Sequence, residues 1–599
     1  MTGTLSIQTE NIFPIIKQFL YSDRDIFLRE LVSNAVDALH KLKTAAEMGE
    51  FSGEIGELVV NINLDENART LTISDNGIGM TAEETDKYIN QIAFSGAKEF
   101  LEKYHGKAEG IIGRFGLGFY SAFMVADKVE VLTRSYKSDK AVRWSCDGTV
   151  NYEMNESERD GRGTDVILHV SRDADEFLRP WRIEEILNKY SKFLPYTIRF
   201  QGKVININTP AWTRKPTELT DEDYKTFYKQ LYPYADPPLF WIHINVDFPF
   251  TLKGILYFPK LKKEIDIQKN KIHLYCNQVF VTDSVEDIVP DFLSLLHGVI
   301  DSPDIPLNVS RSYLQGDPNV KKISGHISKK VADKLREIYE TDRTAFEKAW
   351  ENIGVFIKYG IIRDHSFYEK TKDIVLVYNT NHQFFTLDEY QKYVQAKQTD
   401  KNGKVIFLYA THPDEQYVAI KNANDMGYDV LLMEGILDVN FIQYIEFQLE
   451  NTSFVRVDSD GLDKLIDKGI ENVSLYNERE ENELLEWMKK AADNLPVEKR
   501  PSGSYTAPVY LTVPESQRRM ADMQKMGMLG ANEIPDYFVV TINTASDAFK
   551  RVFLLSADEK RIQYLRYLLD LALLSTGRLA GEKLANFVKT STELAQKIA

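Results

Sequence analysis

Three short segments near the N-terminus constrain this 599-residue chain more than its composition does. They are Glu30-Leu31-Val32-Ser33-Asn34-Ala35-Val36-Asp37, then Asp75-Asn76-Gly77-Ile78-Gly79-Met80, then Gly110-Ile111-Ile112-Gly113-Arg114-Phe115-Gly116-Leu117-Gly118. In the first, Glu30, Asn34 and Asp37 fall at i, i+4 and i+7, so a helix carries all three on one face while the apolar residues between them turn to a core. An amide between two carboxylates suits holding Mg²⁺ through oxygen while a spare carboxylate polarises a water beside a triphosphate. The competing reading is a solvated helix face.

The other two segments weigh against that reading. Leu71-Thr72-Ile73-Ser74 reads as a short strand that delivers Asp75 to its end, where the carboxylate is able to accept from an exocyclic amine. Gly77 and Gly79 permit positive φ and close approach of backbone to a flat ligand. Gly110, Gly113, Gly116 and Gly118 form a loop ahead of the apolar run Phe119 to Val125, predicted to be a helix whose first amides receive phosphate oxygens. The loop has no Gly-Lys-Ser/Thr ending, so it is neither a P-loop nor a dinucleotide fingerprint. Taken together the segments read as a site for ATP and Mg²⁺.

In order and spacing they resemble the ATP-binding fold shared by DNA gyrase B, sensor histidine kinases, mismatch-repair proteins and the ninety-kilodalton heat-shock chaperones. Within that group Asp23-Arg24-Asp25-Ile26-Phe27-Leu28-Arg29-Glu30-Leu31, Ile92-Ala93-Phe94-Ser95-Gly96-Ala97-Lys98-Glu99-Phe100 and Gly116-Leu117-Gly118-Phe119-Tyr120-Ser121-Ala122-Phe123 resemble the heat-shock protein 90 family. The resemblance continues through Trp212-Thr213-Arg214, Asp221-Glu222-Asp223-Tyr224, Phe227-Tyr228-Lys229 and Pro306-Leu307-Asn308-Val309-Ser310-Arg311, and fades toward the C-terminus. It implies that Glu30 activates the attacking water, that Asn34 helps ligate Mg²⁺ and that Asp75 reads the adenine amine. It further implies that Asp37, Asn76, Gly79, Met80, Phe119 and Thr164 line the nucleotide, and that Arg311, with Gln315 near it, reaches the γ-phosphate from a second domain. A guanidinium spreads charge over phosphate oxygens and suits a site completed when domains close. Phe94 stands where the family usually has lysine and Ala97 where it has threonine. Asn277 and Gln278 replace a commonly basic pair, and Ser312-Tyr313 replaces a glutamate followed by an aliphatic residue. These departures bear on nucleotide affinity and on the rate of closure.

Length favours about three domains, because single cores stop growing near 250 to 300 residues. The expected division is an N-terminal ATP-binding α/β sandwich over 1–208 with a lid over about 81–118, an α/β middle domain over 209–475, and a helix-rich C-terminal domain over 476–599; the fold class is α/β (α+β). Lys+Arg of 73 against Asp+Glu of 89 leaves a net charge of −16, which disfavours a surface built to neutralise nucleic acid. Cys146 and Cys276 stand far apart without metal-ligand spacing, so no disulfide framework or zinc site is expected. The N-terminus has no signal-like apolar stretch and no run approaches about 18 apolar residues, which points to the cytoplasm and away from the membrane.

Strands are predicted at Val59 to Leu64, Leu71 to Ser74, Lys128 to Thr133 and Asp165 to Val170, and in the middle region at Leu252 to Tyr257 and His273 to Val281. Ile205 to Thr213 runs on without the long charged linker of the family's eukaryotic cytosolic members, and the last residues lack their Met-Glu-Glu-Val-Asp ending, so the resemblance is to the bacterial type. Near the C-terminus Leu565, Leu568, Leu569, Ala572, Leu573 and Leu579, then Leu584, Phe587 and Val588, trace an apolar face over two helices. The pattern alone leaves open whether this pair packs on its own domain; the resemblance implies a homodimer interface. Met520, Met523, Met526 and Met528 fall within nine residues, a pattern of core filling or of an adaptable surface for unfolded clients.

The expected function is that of an ATP-dependent molecular chaperone, a homodimeric clamp that hydrolyses ATP and remodels unfolded or partly folded clients, with other chaperones as further partners. The rivals are a DNA-remodelling ATPase, which the net charge disfavours, a nucleotide-gated scaffold that scarcely hydrolyses ATP, and a histidine kinase.

Overall fold

The computed structural model describes residues 23–91, 94, 96–104, 110–113, 116–149, 151–260, 271–285, 288–305, 307, 318–460, 462–469, 472–493, 495–502, 507–514, 517–520 and 537–598. The chain divides between Val331 and Ala332 into two compact units.

The first unit holds two sheets. One is a mixed eight-stranded sheet in the order β5-β4-β3-β6-β2-β1-β7-β8. Its strands are β1 Val59–Asp65, β2 Thr70–Asp75, β3 Ala126–Arg134, β4 Ala141–Cys146, β5 Tyr152–Ser157, β6 Gly163–Val170, β7 Thr197–Phe200 and β8 Lys203–Val204. β1 and β2 form a hairpin whose turn is closed by Asp65 Oδ1, which accepts from the amides of Asn67 and Ala68, both at 2.9 Å. Among the described residues, helices α1 Ile26–Glu47, α2 Ala82–Ile89, α3 Gly96–Lys103 and α4 Pro180–Tyr190 accompany this sheet. α1 packs on β2 and α4, and Leu28, Val32 and Leu39 join Ile62, Ile73, Val129 and Leu168 in one core. α2 starts at a capping box, with the Thr81 hydroxyl accepting from the Glu84 amide and the Glu84 carboxylate accepting from the Thr81 amide.

The second sheet has five strands in the order β12-β11-β13-β10-β9. They are β9 Phe240–Val246, β10 Leu252–Phe258, β11 Lys271–Cys276, β12 Val279–Thr282 and β13 His297–Asp301. Phe193, Trp212, Phe227 and Tyr275 form an aromatic cluster against it.

Two local expectations change. The run His273 to Val281, read as one strand, is a hairpin, because Asn277 and Gln278 adopt φ of 51° and 64° and close a two-residue turn. Positive φ at both central residues is the usual geometry of such a turn, and the absence of glycine there hid it. The segment after the glycine loop is a 3₁₀ helix, Gly118–Met124, in place of the expected α-helix start at Phe119. The Ser121 hydroxyl donates to the Gly118 carbonyl at 2.6 Å, occupying the acceptor that an α-helical turn would use.

In the second unit a parallel three-stranded sheet, Val430–Leu432, Val405–Ala410 and Thr452–Arg456 in spatial order, is accompanied by helices Tyr417–Asp425 and Asp438–Gln448. Further along, helix Glu478–Ala491 begins at an Asn477 capping box. It packs with strands Val497–Arg500, Val539–Asn543 and Val509–Thr512 and with helix Asp558–Ser575, which is followed by helix Gly581–Ile598. Leu484, Met488, Val540, Ile542, Leu565, Leu569, Leu573 and Phe587 form that core. The predicted apolar face is thus spent on its own core except at Val588, which stays exposed together with Leu571, Leu574 and Leu594, residues outside that face.

Candidate functional site

A cavity of about 390 Å³ opens between α1, the ends of β2 and β6, and the glycine loop, within the range of small-molecule sites. Glu30, Asn34 and Asp37 line it from α1 as their spacing predicts, and the face continues one turn further to Lys41. The i+4 step from Asp37 is the signal by which Lys41 was legible and overlooked. Burial pulls the Lys41 amine below the usual lysine range, against the opposing pull of Asp37 and Glu84.

At the far end of the cavity Asp75 is buried, and its Oδ1 accepts from the Gly77 amide at 2.8 Å. Desolvation pushes its carboxyl up to about 7, against the Gly77 hydrogen bond and the charge of Arg159. Ile78, Met80, Val131, Val166 and Phe119 supply apolar walls, so this end is a flat apolar slot with one carboxyl group. Thr164 lines it from β6; its hydroxyl meets that of Thr133 at 3.0 Å, and Thr133 accepts from the Met80 amide at 3.0 Å. Gly79 has φ +62° and lies against Arg134, where a Cβ would come 1.9 Å from the carbonyl oxygen. No other residue fits there.

At the other end the glycine loop brings backbone against acids. Asp37 accepts from the amides of Ile112 and Gly113, at 2.8 and 2.7 Å, using both carboxylate oxygens. A Cβ on Gly118 would lie 2.6 Å from Glu30 Oε2, and one on Gly116 would lie 2.5 Å from the Phe94 carbonyl. Phe94 itself lines the cavity and stacks on Tyr88 with ring centroids 6.1 Å apart. Lys103 and the Tyr104 hydroxyl both donate to Glu50 Oε2, at 2.7 and 2.6 Å, which ties the end of α3 to the chain beyond α1. Sequence reasoning missed Phe100, Lys103 and Tyr104, at and after the end of α3, and Tyr136 and Lys137, between β3 and β4, as lining residues, because tertiary packing rather than local spacing brings them to the cavity.

Asn76 departs from the expected set. Its carboxamide accepts from the Val59 amide at 3.0 Å and donates to the Glu57 carbonyl at 2.7 Å, which turns it to β1 and away from the cavity lining. Arg311 and Gln315 lie outside the described residues, as do Met523, Met526 and Met528.

A family model described as histidine kinase-, DNA gyrase B- and HSP90-like ATPase matches residues 23–164, which supply the cavity's lining residues except Val166. A second, described as Hsp90 protein, matches residues 199–501. The chaperone protein HtpG of Bacteroides thetaiotaomicron is 52% identical over 575 residues, covering 92% of this chain and 84% of that protein. The chain belongs to the Hsp90 family. The HtpG of Porphyromonas gingivalis is 50% identical, with 94% of this chain and 85% of the relative covered. That of Idiomarina loihiensis is 33% identical over 506 residues, covering 77% and 78%. Membership is thus of the bacterial HtpG type, an ATP-dependent chaperone with ATPase activity, and the DNA-remodelling and histidine-kinase readings fall away.

Proposed function

We propose that the cavity is the ATP site of a dimeric chaperone clamp and that each residue has the following part. Asp75, in its ionised form, accepts from the adenine amine in the apolar slot. The backbone amides of the glycine loop and of the start of the 3₁₀ helix receive phosphate oxygens. Glu30 orients and deprotonates the attacking water, and Arg311 brings a positive charge to the terminal phosphate. The single observation that supports this reading is that Glu30, Asn34, Asp37 and Asp75 face one cavity whose glycines admit backbone up to the carboxylates.

Mg²⁺ fits the donor set. Among the described residues no cluster of three acidic, histidine or cysteine side chains stands ready to cage a metal, and Mg²⁺ characteristically takes one or two protein oxygens and completes its shell from phosphates and water. Asn34, exposed on the cavity face, is the residue that would hold it. When bound, the ion neutralises charge on the phosphates.

The clamp would consist of three domains, 1–208, 209–475 and 476–599, joined as a homodimer through the exposed side of the two last helices. Clients are unfolded or partly folded proteins, other chaperones are further partners, nucleic acid is not, and the compartment is the cytoplasm. Among the described residues no helix is long and apolar enough to cross a membrane.

Steady-state hydrolysis and ATP binding by the intact protein, Glu30→Ala and Arg311→Ala test the reading. Variants that bind ATP and lose turnover support a site shared between domains. An Arg311→Ala protein that turns over like the parent removes the middle region from the reaction.

A further inference from the structure

We propose that Asn277 is a positioning residue that couples the nucleotide cavity to the second sheet, because its carboxamide and the Asp37 carboxylate hold opposite ends of one peptide group, Ile111–Ile112. Asn277 Nδ2 donates to the Ile111 carbonyl oxygen at 3.3 Å. The amide of the same peptide unit, on Ile112, donates to Asp37 Oδ1 at 2.8 Å, and the next amide, Gly113, donates to Oδ2 at 2.7 Å. A peptide group is planar and conjugated, so a donor at its oxygen strengthens its N–H as a donor in turn. The chain of bonds runs from the β11–β12 turn through one rigid plane to α1.

Both ends of this relay are anchored. At the turn, Asp301 on β13 accepts from the Gln278 amide at 3.0 Å and from the Trp212 indole at 3.2 Å, holding the left-handed pair in place from the middle of its own sheet. Beyond the turn, Val279 is fully buried within the core of the first sheet, and the Phe280 ring lies 6.0 Å from that of Tyr190 at the end of α4. At the other end Asp37 sits in the buried face of α1. Asn277 therefore cannot follow a shift of the glycine loop without a shift of the second sheet, and a displacement of that sheet moves the amides that Asp37 collects.

The contact is between neutral groups, which gives it a property that a basic side chain in the turn would not have. It is short-ranged and insensitive to ionic strength. Its influence on the cavity acts through the loop backbone alone, and the inference rests on the reading that the cavity takes ATP.

The test uses the full-length protein, with hydrogen exchange of the peptide covering Ile112 and Gly113 and with the dissociation constant for ATP. Asn277→Gly keeps the left-handed turn and deletes the carboxamide; Asn277→Asp keeps the shape and sets an acceptor against the Ile111 carbonyl. Gln278→Gly keeps both the turn and the carboxamide and is the control. Expected is an exchange rate about five-fold faster in Asn277→Gly, the factor that one ordinary hydrogen bond supplies. By linkage, ATP affinity falls by a similar factor in Asn277→Gly, independent of salt, and further in Asn277→Asp, whose added charge makes the extra loss shrink as salt rises, while Gln278→Gly matches the parent. Exchange like the parent's in both Asn277 variants overturns the proposal, as does faster exchange with unchanged ATP affinity, which would make the bond structural. A parent that binds no ATP fails the underlying reading, and shows itself before any variant is made.

Discussion

Arg29 and Glu30 are adjacent in the helix and still reach each other: Arg29 Nε lies 3.0 Å from Glu30 Oε1, with both side chains almost wholly withdrawn from water. Neighbours in a helix do not ordinarily share a face. Here the guanidinium also lies over the Tyr190 ring, 5.5 Å from its centroid, which draws it along the helix surface toward α4. The proposed catalytic carboxylate is thus oriented by a residue that does not line the cavity. Arg29→Met removes one charged partner from a buried acid, an event that costs about 3 kcal/mol in comparable buried pairs. Thermal unfolding should move to lower temperature, and turnover should fall at least about ten-fold with ATP affinity little changed, as expected for a misplaced general base. Parent-like turnover would separate the ion pair from catalysis.

Gly118 has ordinary room around it except on the side of Glu30, where a Cβ would meet Oε2 at 2.6 Å. The obstacle is the end of a side chain, so Gly118→Ala should displace the Glu30 carboxylate and spare the fold. Hydrolysis is expected to drop about ten-fold or more, because a displacement of an ångström at a reacting group has effects of that size. Unfolding midpoints should stay close to the parent's.

The Asp75 carboxyl, pushed up to about 7 by burial, gives the site a pH dependence. Since the folded value lies above the unfolded one near 3.8, the folded state holds the proton more tightly. The associated stability is full below pH 4 and is lost as pH rises to about 7. Adenine recognition runs the other way, because the protonated carboxyl offers its O–H where the ligand needs an acceptor. ATP affinity measured by calorimetry should therefore rise from pH 6 to pH 8, and Asp75→Asn should bind weakly with that slope removed. A flat profile in the parent would detach Asp75 from the base.

Chelation of divalent cations should abolish hydrolysis while the fold, followed by circular dichroism, stays intact, since no described cluster depends on a metal. Asn34→Ala should raise the Mg²⁺ concentration needed for half-maximal turnover about ten-fold, in the range seen when an oriented ligand is lost.

Leu574 and Val588 are 43% and 54% exposed on successive helices, where Leu571 and Leu594 are also exposed while Leu565, Leu569, Leu573 and Phe587 fill their own core. Leu574→Glu with Val588→Glu leaves that core untouched. Sedimentation should show a dimer for the parent and a monomer for the double variant at micromolar concentration; a monomeric parent would refute the proposed interface.

The cavity's acidic face was legible because helical periodicity is local: once α1 forms, Glu30, Asn34 and Asp37 share a side, and Lys41 follows by the same rule. Asp75 at a strand end and the need for glycine at 79 were legible for similar reasons. Asn76 was not, because the direction of its carboxamide is decided by the open amide of Val59, 17 residues away on a paired strand. The Asn277-Gln278 turn was hidden for want of a glycine, and the lining residues Phe100, Lys103, Tyr104, Tyr136 and Lys137 because tertiary packing, with no local spacing to announce it, brings them to the cavity.

What the sequence by itself determined is the set of short-range elements, the family and the chemistry available at the cavity, since spacing within a helix, a strand or a loop is set by backbone geometry over a few residues. The tertiary structure alone decided that Arg29 holds Glu30 by way of Tyr190, that Gly118 must be small to admit a carboxylate, and that Asn277 reaches Ile111 across 166 residues of chain. Such contacts carry no local signature. They exist because two sheets and their helices bury apolar surface together, and that packing sets distances between side chains whose separation in sequence is arbitrary.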